Sequence, residues 1–131
     1  MNSHPETTLP EHLSVGAQLT TPRWGFVHHG LYAGNGRVIH YAGFKAWLHR
    51  GPVEEISLAE FADGRPVQVK SSPAARFAGA AAVARARSRL GEDRYRFLSN
   101  NCEHFVEWCL TGMGRSAQVE ALFGANAFQT V

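Results

Sequence analysis

Two cysteines and seven histidines carry most of the reactive chemistry open to this 131-residue chain at neutral pH. Cys102 opens the run NNCEHFVEWCL, in which Cys102, Phe105, Val106, Cys109 and Leu110 recur at helical spacing, while Glu103, His104 and Glu107 fall towards the other side. The spacing predicts a helix over 101–111, capped by Asn100 or Asn101 and ended by Gly112. A thiol at such a helix start meets unpaired backbone N–H groups and the positive end of the dipole. Both favour thiolate, and they predict a pKa below the free value of about 8.5. The alternative is an inert buried thiol, which Cys109 resembles in its apolar mid-helix setting. Seven residues of helix separate the two Cα atoms by about 10 Å, beyond disulfide reach.

A thiolate nucleophile wants an imidazole within hydrogen-bond reach and a third group to orient that imidazole. His4, His12 and His49 lie in an N-terminal arm or beside Arg50 and read as surface residues. His28, His29 and His40 share the stretch HHGLYAGNGRVIHY, whose Gly34-Asn35-Gly36 marks a β-hairpin turn. The length of that turn decides which histidine can serve. A two-residue Asn35-Gly36 turn would set Leu31 opposite His40 and put His29 on its face. A three-residue loop sets Gly30 opposite His40 and brings His28 alongside as a diagonal neighbour at about 7 Å. The three-residue loop, with Gly36 in its left-handed position, is the expectation, and Gly30 would leave room beside His40. Zinc bound by His28, His40, Cys102 and His104 is the competing reading, but no pair has the close spacing of a structural zinc site. The site is therefore read as metal-free.

These side chains need a scaffold. Val15–Thr21 reads as a strand closed by Pro22, Val53–Ile56 and Pro66–Lys70 as two more, and Gly43–Gly51 as a tryptophan-bearing connection. Ser57 and Glu60 have capping-box spacing for a short helix stopped by Gly64. Pro73–Leu90 reads as an Ala-rich helix ended by Gly91, Arg94–Leu98 as a short strand, and Ser116–Phe123 as a last helical pattern. One α+β domain over 15–131 follows, with helices packed to one side of an antiparallel sheet and a flexible arm at 1–14.

The bulk composition sets limits. A net charge of +2, with 44% hydrophobic and 18% charged residues, suits a globular domain and gives no platform for nucleic acid. Arg85, Arg87, Arg89, Arg94 and Arg96 lie close together, as a solvated helix face or as a patch for anionic groups. The polar start, MNSHPETTLPEHL, is neither signal peptide nor anchor, and no apolar run approaches the roughly 20 residues of a membrane span. A soluble protein of a reducing, cytoplasmic compartment is the expectation, with at most peripheral membrane contact.

The pairing of HHGLYAGNGRVIHYAGF with a later NNCEHFVEWCLTG resembles the lecithin–retinol acyltransferase-like family, of the NlpC-type branch of papain-like cysteine enzymes. The matching positions are His28, Tyr32, Gly34, Gly36 and His40, then Asn101, Cys102, Glu103, His104 and Phe105. The resemblance implies a permuted papain-like fold, with Cys102 as nucleophile, His28 as general base and His40 orienting it. Asn101, His104, Tyr32 and His29 would stand around substrate or behind the triad. It further implies acyl transfer or hydrolysis of a lipid-like acyl ester through a thioester on Cys102, without a cofactor. The backbone N–H of Cys102 is the candidate oxyanion donor. Two other functions compete: a peptidase or amidase using the same triad, and a non-catalytic binding module.

Overall fold

The computed structural model describes residues 12–46, 49–96 and 101–123. Strands β1 (Gln18–Arg23), β2 (Phe26–Gly34), β3 (Arg37–Ala46), β4 (His49–Ser57) and β5 (Gln68–Lys70) form one antiparallel sheet in the order β4-β3-β2-β1-β5. Among the described residues four helices accompany it: α1 (Leu58–Ala62), α2 (Ala80–Arg87), α3 (Cys102–Thr111) and α4 (Ala117–Phe123). The α+β class and the antiparallel sheet expected from the sequence are found. Residues 1–11 of the expected arm lie outside the described residues, whereas Leu13 already packs against the core.

Alternation along the strands divides the sheet into two faces. Leu31, Ile39, Tyr41 and Val53 pack with Ala82, Val83 and Ala86 of α2 and with Phe105, Val106, Cys109 and Leu110 of α3. Leu19 and Val38 lie on the opposite face, under Phe61 and Ala62 of α1. Helices thus cover both faces, where the sequence reading had them on one. The reason is local. Ser57, the last residue of β4, is also the N-cap of α1, and its box with Glu60 turns the chain at once, carrying Phe61 onto that second face. Phe61 is fully buried, a contribution of roughly 2–3 kcal/mol.

The β2–β3 turn reaches the expected register by a different route. The loop is the two-residue Asn35-Gly36, with φ of 54° and 72°, both positive as a type I′ turn requires. The extra residue is Ala33, a bulge between the Tyr32–Val38 and Gly34–Arg37 pairs. Leu31 pairs with Ile39, so continuing the register by one step places Gly30 opposite His40 and His28 on the same face. A Cβ on Gly30 would lie 2.6 Å from Val38 Cγ1 and 2.7 Å from Phe61 Cε1, so the space is needed by Phe61. Gly30→Ala is expected to cost about 1–3 kcal/mol by overpacking, read as a lower denaturation midpoint at unchanged slope. An unchanged midpoint would show that Phe61 yields freely.

Other expectations are corrected. Pro22 does not close β1, which runs to Arg23 and pairs Pro22 with Val27. Tyr32 and Ala17 share a backbone hydrogen bond, so odd-numbered residues of β1 face β2 and Pro22 faces the β5 side. There β5 has already ended at Thr20, so no ladder bond is lost. The predicted 43–51 connection is mostly sheet, with Gly43 paired to Gly51 and Phe44 to Arg50; residues 47 and 48 lie outside the described residues. The predicted 73–90 helix shrinks to Ala80–Arg87. Gly79 enters it at φ 54°, and the N–H groups of Arg76 and Phe77 donate instead to Leu110 O at the end of α3. Arg96 makes a single bridge where a strand was predicted over 94–98, whose last two residues lie outside the description. Among the described residues no helix is long and apolar enough to cross a membrane.

Candidate functional site

The start of α3 is built by its own first residues. Asn101 Oδ1 accepts from the N–H groups of Glu103 and His104, each at 2.9 Å, and His104 Nδ1 accepts from the Asn101 N–H at 3.1 Å. This is a capping box with histidine in the place usually held by Glu or Gln. Asn101 and His104, expected around substrate or behind the triad, are thus engaged in shaping the helix start. Their cap holds Cys102 at the first helical position with its side chain against the sheet.

The sheet opens to receive it. The β2–β3 ladder ends at the Leu31–Ile39 pair, while β2 continues to Phe26 along β1 and β3 continues to Ala46 along β4. Because Tyr32 directs its backbone groups to β1, those of Leu31, His29 and Val27 are directed to the β3 side. The Cys102 thiol lies at this fork, donating to Val27 O at 4.0 Å. The two strands part as α3 enters, and Cys102 comes to lie beside the strand that carries His28.

On the α1 face, His28 Nε2 and His40 Nδ1 are 2.7 Å apart, and His40 Nε2 is 3.0 Å from Glu54 Oε2. His40 and Glu54 are direct cross-strand partners. The Phe61 ring lies 5.3 Å from the His28 ring and 5.9 Å from that of His40, fixing both. His28 and His40 are 5% and 6% exposed and Cys102 only 2%. Burial, helped by the Arg23 charge and by repulsion from His40 and His29 in their protonated forms, holds His28 well below the usual imidazole range. Burial also pushes the Cys102 thiol up to about 12. This reverses the expected lowering: N–H groups of His29 and Glu103 do favour the thiolate, but loss of water outweighs them. Cys109 is likewise pushed up to about 12, so protonation state does not distinguish the two thiols. Both shifts favour the neutral forms, thiol at Cys102 and imidazole at His28.

His29 projects from the opposite face of β2, towards α3. Its Nδ1 is 3.1 Å from Gln18 Nε2 and its Nε2 is 3.8 Å from Glu103 Oε2. Glu103, expected to point outward, is 2% exposed. Its carboxylate also accepts from Ser116 Oγ at 2.7 Å and from Lys70 Nζ at 3.4 Å. This network ties α3 to β2, β5 and the approach to α4. Tyr32 stands at the turn end of the hairpin, about 13 Å along the strand from His28. There its hydroxyl accepts from the Gly36 N–H at 2.9 Å. It belongs to the hairpin and not to the Cys102 fork.

Two residues of the site were not singled out in the sequence. Glu54 was hidden because the 43–51 segment read as a loop, which leaves its register against β3 undefined. Arg23, at the β1–β2 turn, donates to Phe61 O at 2.6 Å, and its charge acts on both His28 and Cys102. The helix-face arginines have structural partners. Arg85 lies over the rings of Phe77 and Trp108 and donates to Trp108 O, Arg87 pairs with Glu55, and Arg89 with Glu92. Beside the fork, Val27 is 40% exposed and Trp24, at the β1–β2 turn, is 90% exposed. Surface hollows at 93–96 and among Lys70, Glu103, Glu107 and Glu120 include neither Cys102 nor His28.

A human protein described as phospholipase A and acyltransferase 2 is 28% identical in an alignment 121 residues long that covers 80% of this chain and 75% of that protein. The family model described as lecithin retinol acyltransferase matches residues 11–115, a span that holds the whole hairpin and all of α3 with its capped start. With that match covering most of its length, the chain belongs to the lecithin retinol acyltransferase family.

Proposed function

We propose that this protein is a cysteine-dependent acyltransferase or hydrolase that takes an acyl group from a lipid ester, with Cys102 as nucleophile, His28 as base and His40 orienting His28. The observation that carries the reading is the 2.7 Å His28–His40 hydrogen bond on the strand whose Val27 carbonyl accepts from the Cys102 thiol. Family membership and the phospholipase and acyltransferase description of the human relative support the reaction class. The exposed Trp24 and Val27 support an apolar substrate and peripheral contact with a lipid surface.

The chemistry follows from the neutral resting pair. His28 Nδ1 takes the thiol proton as Sγ attacks the ester carbonyl, so charge is created as the bond forms and is not stored beforehand. The oxyanion needs fixed donors. The Asn101 side chain takes the N–H groups of Glu103 and His104, and its carbonyl takes that of Phe105. The Cys102 N–H is the first-turn donor that the cap does not use. Collapse of the tetrahedral intermediate expels the alcohol, which takes the proton from His28, and leaves a thioester. Water, an amine or another alcohol then gives its proton to His28 as it attacks the thioester; the C–S bond breaks, and the leaving Cys102 sulfur takes that proton back from His28.

Incubation with a short-chain p-nitrophenyl ester, acid quench and intact-mass measurement tests this. A hydroxylamine-sensitive acyl adduct is expected on the Cys102 peptide, and Cys102→Ala is expected to abolish adduct and turnover. Turnover that survives Cys102→Ala would refute the thioester route. Cys102-dependent cleavage of peptides in preference to esters would replace the lipid reading with the amidase one.

A further inference from the structure

The residue beyond His40 has a job that the hydrogen bonds themselves define. We propose that Glu54 is a positioning residue that fixes the tautomers of His40 and His28, so that His28 offers an unprotonated Nδ1 to the Cys102 thiol. The proposal rests on the reading of Cys102 and His28 as nucleophile and base. An ionised carboxylate only accepts, so the His40 nitrogen 3.0 Å from Glu54 Oε2 must carry the proton. Neutral His40 then has its lone pair on Nδ1, which accepts from His28 Nε2–H across 2.7 Å. Neutral His28 is left with its lone pair on Nδ1, the only ring nitrogen not engaged with His40. Each step follows from the last, and the carboxylate is what starts the sequence.

Without it, two arrangements compete. In the reverse one, His40 Nδ1–H donates to His28 Nε2, and His28 then carries its proton on Nδ1. A base protonated at that nitrogen cannot receive a proton from the thiol, so this population is inactive. The same carboxylate also steadies the imidazolium that forms on His28 once the thiol proton has moved. Phe61 clamps both rings, so the hydrogen-bond direction is left to choose between otherwise similar geometries. Other charged or titratable groups that act on the pair are Arg23 from β1 and His29 from β2 itself, which oppose a proton on His28, and Glu60 from α1, which interacts with His40.

The wild-type protein gives the first test, through nitrogen chemical shifts of the histidine rings. The expected spectrum has both His28 and His40 as Nε2–H tautomers at neutral pH; a dominant Nδ1–H form at His28 overturns the proposal. The second test is Glu54→Gln, whose amide can either accept from or donate to His40. The expected result is a mixed tautomer signal, a kcat on p-nitrophenyl butyrate lower by roughly 10- to 100-fold, and little change in KM. Glu54→Asp should recover most of that loss. An unchanged kcat and tautomer signal in Glu54→Gln overturns the proposal. Cys102→Ala is measured alongside: activity persisting there removes the nucleophile reading itself and is distinguishable from a failure at Glu54.

Discussion

His28→Ala is expected to lower Cys102-dependent turnover by about 10²- to 10⁴-fold, the usual worth of a positioned general base. His29→Ala should keep kcat within about tenfold while lowering stability by about 1–3 kcal/mol, the cost of leaving buried polar groups short of a partner. The two residues are neighbours in the chain and fully separated in space. His28 lies under Phe61 with its Nε2 on His40, whereas His29 lies on the α3 face between Gln18 and Glu103. Glu103 keeps Ser116 and Lys70 after His29 is removed, so α3 should stay docked and Cys102 should stay at the fork. Steady-state kinetics on a soluble ester, with denaturant unfolding of the same preparations, separates the effects. Loss of turnover in the His29 variant alone would mean that the wrong face had been assigned.

Acid is expected to destabilise the fold well before the carboxylates titrate. His28, His29 and His104 are each held below the usual imidazole value, first by burial, and His29 falls to about 4. The folded protein therefore keeps these rings neutral at a pH where the unfolded chain protonates them. Below pH 6.5 the unfolded state binds more protons, so stability is fully present above that value and declines as pH falls towards the folded pKa values. For His29 alone the loss between pH 6.5 and about 4 is on the order of 3 kcal/mol, a large part of the ~5–15 kcal/mol available to a domain. The melting temperature should fall between pH 6.5 and 5, and His29→Gln should make the slope shallower. A melting temperature constant across that window would mean that the rings are not buried and neutral. The thiols act at the other end, because burial raises both, and stability should decline again as pH rises above about 9 towards 12.

How much of this was legible depends on the range of the interaction. The capped helix with Cys102 at its start was readable because a cap is a contact within four residues, and NNCEHF contains all of it. The capping box of α1 was readable for the same reason. The 73–90 segment failed because Ala-rich composition gives a helix propensity but not its limits. Gly79 at positive φ and the donors sent to Leu110 O depend on a helix far along the chain.

The hairpin shows the division most clearly. The sequence determined that Gly34-Asn35-Gly36 would turn, and the expected neighbourhood of Gly30, His28 and His40 is found. The tertiary structure decided how. Ala33 bulges, because that shift keeps Leu31 and Ile39 on the α3 face and leaves Gly30 beneath Phe61. Glu54 on His40 and Glu103 on His29 depend on strands and helices meeting across long stretches of chain, where local spacing carries no register. The charge state of Cys102 was decided the same way. The local helix start favours thiolate, but the surrounding core removes the water that thiolate needs, and in this fold the core prevails.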